Sequence, residues 1–135
     1  MNHPSCLLVI DDDHDILLSL QDALEMEGYH VATARTGREG LERLDSGLRP
    51  DLILLDLMMP DVSGWAFRAR QRADPALDAI PVVVVSGQGL STHDVAELGV
   101  AGYLPKPLDL DSLLSTVARF APPPAPPESA GLSSW

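Results

Sequence analysis

One short stretch, Leu7-Leu-Val-Ile10 followed by Asp11-Asp12-Asp13, joins four consecutive apolar residues to three consecutive carboxylates. An unbroken apolar run is typical of a strand covered on both faces, as in the parallel sheets of α/β proteins. Comparable segments recur along the chain, at residues 52–55, at 80–85, more weakly at 100–104 and, less apolar and suited to a sheet edge, at 29–34. The sequence therefore predicts five strands.

Segments with helical periodicity separate these strands. The five predicted helices run from about 15 to 27, from Thr36 to near Gly47, from about 64 to 73, after Ser91 and after Asp109. Two of them carry predicted core faces, which consist of Ile16, Leu20, Ala23 and Leu24 in the first helix and of Leu110, Leu113, Leu114, Val117 and Phe120 in the last. Regular alternation of strand and helix indicates a doubly wound α/β domain, a five-stranded parallel sheet flanked by five helices.

Length and composition limit the function. The 135 residues suffice for one domain, and 45% hydrophobic residues suffice for its core. A formal net charge of −11 opposes direct binding of nucleic acid, because phosphate backbones are themselves negative. The single cysteine, Cys6, excludes an internal disulfide and a cysteine-based zinc site. No apolar run reaches the roughly 18 residues of a membrane span, and the start of the chain lacks a basic signal-like segment. We therefore expect a cytoplasmic protein that does not bind membranes.

The last fifteen residues differ from the rest. Residues 121–127 contain five prolines and two alanines, a composition that builds no core and favours an extended conformation. We therefore expect a domain over residues 1–120 and, over 121–135, a flexible tail or a truncated linker. A proline-rich docking motif is a weaker alternative.

Polar residues follow each of the four apolar strands. Three aspartates follow the first strand, and the other three strands are followed by Asp56, Ser86 and Lys106. Lys106 is the only lysine in the sequence, which has eight arginines. Ligands of doubly wound sheets bind at the carboxyl ends of the strands, so these residues should converge there. Crowded carboxylates without histidine or cysteine favour Mg²⁺. A carboxylate beside such an ion can attack phosphorus, and an ammonium and a hydroxyl can hold the phosphoryl oxygens. The residue types therefore suit phosphorylation of an aspartate.

Four motifs occur in order: Val9-Ile-Asp-Asp-Asp13, Asp51-Leu-Ile-Leu-Leu-Asp-Leu-Met-Met-Pro60 with Gly64, Val85-Ser-Gly87 and Tyr103-Leu-Pro-Lys-Pro107. On these motifs the chain resembles a response-regulator receiver domain of two-component signalling, from residue 5 to about 120. The resemblance implies a flavodoxin-like sheet with strand order 2-1-3-4-5, as in the chemotaxis regulators.

The resemblance also implies roles for individual residues. Asp56 is expected to be the phosphoacceptor, and Lys106 and Ser86 are expected to contact the phosphoryl group. The expected Mg²⁺ ligands are Asp11, Asp12, Asp56 and the backbone carbonyl of Met58. The expected switch residues are Ser86 and Tyr103, and a cis peptide is expected between Lys106 and Pro107. Met58 and Gln88 lie at positions that tune the phosphoryl lifetime in the family.

Expected partners follow from the same resemblance. The phosphodonor is a histidine kinase or a histidine phosphotransfer protein, docked on the first helix, where one of Leu17 and Leu18 is expected to be exposed. The output is a downstream effector protein or a C-terminal output domain missing from this chain. The sequence does not distinguish a stand-alone protein from the first domain of a longer regulator.

Other interpretations remain open at this stage. A phosphatase of the haloacid dehalogenase type shares the sheet and the metal but needs an aspartate at position 58, which is methionine here. A receiver-like module used only for protein interaction would not need the complete set of polar residues. The three consecutive aspartates could also form a solvated turn whose third member caps the first helix. Cys6, Met59 and Trp65 are expected to pack in the core.

Overall fold

Residues 5–59, 63–87 and 89–121 are described in a computed structural model of the chain. The elements are β1 (Cys6–Ile10), α1 (His14–Met26), β2 (His30–Ala34), α2 (Gly37–Asp45), β3 (Leu52–Asp56), α3 (Gly64–Arg72), α4 (Pro75–Asp78), β4 (Val82–Ser86), α5 (Thr92–Leu98), β5 (Gly102–Pro105) and α6 (Leu110–Phe120). The strands pair in parallel in the order β2-β1-β3-β4-β5. This confirms the predicted doubly wound sheet and its strand order.

The helix α4 is an addition to the five predicted helices. It is a single turn that Asp74 caps through a bond from the Ala76 amide, with Pro75 at its first position. Proline is well tolerated there because the first amides of a helix have no intrahelical acceptor. Four residues are too few for helical periodicity to be visible in the sequence. Fourteen of the fifteen predicted tail residues, 122–135, lie outside the described residues, as does Gln88.

Two apolar layers cover the sheet. Alternate strand residues point to opposite faces, so Leu8 and Ile10 pack into one layer and Leu7 and Val9 into the other. Because β3 lies in the middle of the sheet, all five of its residues are buried. β2 is an edge strand and only Ala34 is fully buried in it. The position of each strand in the sheet therefore explains its sequence: the inner strands are continuously apolar, and the edge strand is less so.

Helix α1 buries Leu17, Leu20 and Leu24, whereas Ile16 and Ala23 are only half-buried. The expectation that one of two adjacent leucines is exposed is confirmed, because Leu18 remains 46% exposed. Gly28 follows the helix with φ of +96°, a conformation that favours glycine, and its amide bonds to the Glu25 carbonyl.

Two predicted core positions are wrong. Leu110 is 52% exposed because it is the first residue of α6, one turn before the layer that Leu113 and Val117 form against the sheet. Trp65 is also exposed. It lies two residues, or roughly 200° of helical rotation, from the fully buried Phe67, and therefore faces away from the core. Met59 is buried as expected, and Cys6 is half-buried.

The sequence Thr36-Gly-Arg-Glu39 at the start of α2 predicts a capping box, of which only half is formed. Thr36 accepts a hydrogen bond from the Glu39 amide at 3.0 Å, as expected. The Glu39 carboxylate, however, accepts from the Arg35 amide at 3.2 Å, one residue before the cap. The complete reciprocal box occurs instead at α5, between Ser91 and Asp94. In the part of the chain that the structure describes, no helix is both long and apolar enough to cross a membrane.

Gly64, the first residue of α3, is a position where close packing requires glycine. A Cβ added there would lie 2.6 Å from the Cα of Leu57 and 2.9 Å from the Asp56 carbonyl oxygen, both backbone atoms. We expect Gly64→Ala to lower the free energy of unfolding by about 2 to 3 kcal/mol, because backbone cannot move aside as a flexible side chain can. Gly89→Ala is the control, since its Cβ would meet nothing within 4 Å. Urea unfolding measures both variants, and equal losses would contradict the packing argument.

Candidate functional site

The carboxyl ends of four strands place the polar residues at one edge of the sheet. Asp11 directly follows β1, where its amide bonds to the Ala34 carbonyl at the end of β2. Asp56 and Ser86 are the last residues of the adjacent strands β3 and β4. Lys106 follows β5, and its amide donates to the Ser86 carbonyl at 2.9 Å. The topology thus brings together residues that are up to 95 positions apart in the sequence.

Three carboxylates form a cluster at this edge. Each of Asp11, Asp12 and Asp56 offers an oxygen, and these oxygens all lie within 4.8 Å of one another. Asp11 and Asp56 are buried, whereas Asp12 is exposed. Such a group repels itself unless positive charge offsets it. Positive charge placed beside the cluster would therefore stabilise it.

The Lys106 ammonium supplies part of that positive charge. Its Nζ lies 3.1 Å from Oδ2 of Asp11 and 3.5 Å from Oδ2 of Asp56. Burial lowers the pKa of Lys106, but the hydrogen bond and charge of Asp11 and the charge of Asp56 outweigh burial, so the pKa is raised above its usual value. The ammonium therefore stays charged between the two carboxylates. The peptide bond from Lys106 to Pro107 is cis, as expected.

Asp13 has a different role from its two neighbours. Its carboxylate accepts hydrogen bonds from the amides of Asp15 and Ile16, and so caps α1. Its own amide donates to Oδ1 of Asp11 at 2.9 Å and so orients that carboxylate. The capping alternative therefore holds for the third aspartate and leaves the first two in the cluster.

The environment of Asp56 disfavours its charged form. Burial raises the pKa of this carboxyl to about 6, from an ordinary value of 3.8, and the charges of Asp11 and Asp12 add to the rise. A hydrogen bond from the Met58 amide at 3.2 Å and the charge of Lys106 act in the opposite direction. Without further positive charge, Asp56 is thus a less stable anion than an exposed aspartate.

The donor set fits Mg²⁺. All the clustered groups are carboxylate oxygens, the hard ligands that Mg²⁺ takes in small number while it keeps several waters. Exposure of Asp12 leaves one side of the cluster open to water and to an entering ligand. Asp11, Asp12 and Asp56 are therefore the side chains that could hold the ion.

Ser86 and Tyr103 lie on the two strands beyond β3. Ser86 is only 1% exposed, at the end of β4. Tyr103, in β5, is half-buried and packs against the apolar layer that contains Val84, the residue opposite it in the sheet. Both residues thus lie on the Lys106 side of the sheet, in the strands that follow Asp56.

An apolar groove that the sequence does not predict lies beside Lys106. The groove has a volume of about 610 Å³ and is lined by Asp15, Ile16, Ser19, Leu20, Lys106, Pro107 and Leu108. Leu20 and Ile16 are core-type residues by periodicity, so their contribution to a groove is not visible in the sequence. The only available signal is the apolar Pro107-Leu108 pair directly after the lysine.

Comparison with known proteins is consistent with this arrangement. Residues 7–118 match the family described as the response regulator receiver domain. The chain is 35% identical over 133 residues to the response regulator MprA of Mycolicibacterium vanbaalenii, covering 97% of this chain and 56% of that protein. The chain spans about half the length of the curated relatives it matches.

Solved structures show the same similarity. The chemotaxis protein CheY4 of Vibrio cholerae superposes with a TM-score of 0.81 at 28% identity, covering 87% of this chain and 99% of that one. A response regulator receiver protein from Pseudomonas putida gives 0.81 at 30% identity, covering 88% and 99%.

Proposed function

The chain belongs to the response regulator receiver domain family, and on that premise we propose that it accepts a phosphoryl group on Asp56 in the presence of Mg²⁺. The observation that carries the proposal is the position of the Asp56 carboxylate, within 4.8 Å of two other carboxylates and 3.5 Å from the Lys106 ammonium. A nucleophilic oxygen with positive charge beside it is what an incoming phosphoryl group requires.

The proposed reaction uses few groups of the chain. An Asp56 oxygen attacks the phosphorus of a phosphohistidine, the bond from phosphorus to the histidine nitrogen breaks, and an acyl phosphate forms. Lys106 holds a phosphoryl oxygen, and the Ser86 hydroxyl donates to another. When bound by Asp11, Asp12, Asp56 and the Met58 carbonyl, Mg²⁺ offsets the charge that gathers on these oxygens.

The proposed output is a change of conformation. Phosphorylation draws Ser86 toward the phosphoryl group and lets Tyr103 turn inward, which shifts an existing equilibrium on the face formed by α5, β5 and α6. The chain is thus a signalling switch that catalyses its own phosphorylation and dephosphorylation. We propose that residues 1–120 form the switching domain.

The proposed phosphodonor is a histidine kinase or a histidine phosphotransfer protein. Two features support a docking site on α1: the exposed Leu18 and the apolar groove that Ile16, Leu20 and Lys106 help to line. A donor helix seated there would bring its phosphohistidine to the carboxyl ends of the strands. The proposed receiver of the signal is an effector protein or an output domain beyond this chain.

Intact-mass spectrometry tests the proposed function. The chain is treated with acetyl phosphate in Mg²⁺ and, in parallel, in excess chelator. We expect a gain of about 80 Da, one phosphoryl group replacing a proton, only when Mg²⁺ is present. Absence of the gain in Mg²⁺ would overturn the proposal, and steady turnover of a generic phosphomonoester would favour the phosphatase alternative.

Met58 offers a test of the phosphoryl lifetime. Met58 lies two residues after Asp56 and is 56% exposed, but its thioether side chain cannot orient a water molecule for attack. We expect Met58→Asn to change the rate of dephosphorylation by about tenfold while leaving phosphorylation possible, because an amide can hydrogen-bond a water. Decay of the 80 Da adduct (about that mass) measures the lifetime. An unchanged lifetime would refute the role of position 58.

A further inference from the structure

Two arginines of α3 hold the C-terminal end of α5. Arg68 donates through Nε to the Leu98 carbonyl at 2.9 Å and through Nη2 to the Gly99 carbonyl at 2.9 Å. Arg72 donates through Nη1 to the Glu97 carbonyl at 3.0 Å. The last carbonyls of a helix have no intrahelical donor, and the negative end of the helix dipole attracts cations. The two guanidinium groups therefore satisfy this helix end from outside.

This end of α5 is also packed firmly. The Arg68 side chain is only 8% exposed and is held in place by Asp78, at 3.5 Å from Nη1. Leu98 is the one fully buried residue of α5. A Cβ added to Gly99, whose φ is +65°, would lie 3.4 Å from Arg72 and 3.5 Å from Arg68. Little space remains between the helix end and the arginines.

The N-terminal end of α5 is attached differently. Ser91, Thr92 and His93 are exposed, and the capping box between Ser91 and Asp94 closes the helix with its own residues. This end connects to Ser86, in the candidate site, through a short segment in which Gly87 and Gly89 are exposed. One end of the helix is thus bound to α3, and the other end follows the site.

We propose that Arg68 and Arg72 are positioning residues that keep the C-terminal end of α5 fixed, so that phosphorylation moves only the N-terminal end. The inference rests on the proposed function. A helix of seven residues is about 10 Å long and turns as a rigid rod about whichever end is held. Displacement of Ser86 is therefore converted into a tilt of α5 about Gly99 rather than a translation of the whole helix.

The test compares backbone amide signals by NMR, without ligand and with beryllofluoride plus Mg²⁺ as a phosphoryl mimic. In the wild-type chain we expect shifts at Ser86 and over residues 91–94, and none at Leu98 and Gly99. In Arg72→Gln, an exposed position on α3, we expect the shifts to extend to Leu98 and Gly99. Arg70→Gln is the matched control, because Arg70 is an exposed residue of the same helix and, among the described residues, the donors to positions 97–99 from α3 are Arg68 and Arg72.

A second measurement needs no ligand. Amide hydrogen exchange at Gly99, which bonds to the carbonyls of Val95 and Ala96, should become about fivefold faster in Arg72→Gln and stay unchanged in Arg70→Gln. Unchanged exchange in Arg72→Gln would overturn the anchoring. Equal shifts at both ends of α5 in the wild-type chain, together with a shift at Ser86, would overturn the proposed tilt about Gly99. The same result would still support the proposed phosphorylation site. No shift at Ser86 would overturn the proposed function itself.

Discussion

Asp56→Asn will lower the rate of phosphorylation by acetyl phosphate by at least about a thousandfold, because an amide oxygen is not a nucleophile toward phosphorus. The substitution replaces one carboxylate oxygen by an NH2 group, nearly keeps the volume of the side chain and removes its charge. The fold should therefore survive, with Lys106 still paired to Asp11 at 3.1 Å. Intact-mass spectrometry in Mg²⁺ measures the gain of about 80 Da.

The control for this prediction is Asp45→Asn. Asp45 is an exposed carboxylate at the last residue of α2 and is not a member of the cluster, so its loss should leave phosphorylation at the wild-type level. Asp12→Asn serves as an intermediate case, because it removes one proposed Mg²⁺ ligand but not the acceptor, and should raise the Mg²⁺ concentration needed for phosphorylation. A full adduct on Asp56→Asn would place the phosphoryl group on another side chain and contradict the assignment.

The sheet and its polar edge could be predicted because they follow from local pattern and chain topology. Continuous apolar runs imply strands covered on both faces, and parallel strands end at one edge. That reasoning predicts that the polar residues which follow these strands lie close together, although it gives no distances between them. The residues are Asp11, Asp56, Ser86 and Lys106. The same reasoning does not determine that the ammonium lies closer to Asp11 than to Asp56, since that depends on side-chain conformation.

The residues whose burial or exposure the sequence pattern did not predict also have a physical explanation. Arg68 has the pattern of an ordinary polar helix residue, yet it is buried because its acceptors belong to α5, about 30 positions later. Leu110 fits an apolar pattern, but the pattern does not show where a helix extends past the layer that it covers. Trp65 is exposed because it lies on the face of α3 opposite Phe67. Contacts between helices that are distant in sequence are set by the assembled fold and leave no periodic signal.

Asp56→Asn should also stabilise the metal-free protein near pH 7. A carboxyl whose pKa is raised to about 6 in the folded chain, from 3.8, binds more protons folded than unfolded between those pH values. The contribution of the Asp56 carboxyl to the free energy of unfolding is therefore greatest at low pH and falls as the pH rises from about 4 to 6. Above pH 6 the buried anion costs up to about 3 kcal/mol, a cost that the neutral asparagine avoids.

Urea unfolding of the two proteins in chelator, at pH 4 and pH 7, measures this effect, because groups distant from Asp56 titrate alike in both proteins. Lys106, whose pKa Asp56 helps to raise, is charged at both pH values. The variant should exceed the wild type by about 2 to 3 kcal/mol at pH 7 and by little at pH 4. Added Mg²⁺ should narrow the gap at pH 7, because a cation that binds only the folded, ionised cluster stabilises the wild type more. If the variant is less stable than the wild type at pH 7 in chelator, Lys106 already neutralises Asp56, and the cluster does not need a second cation.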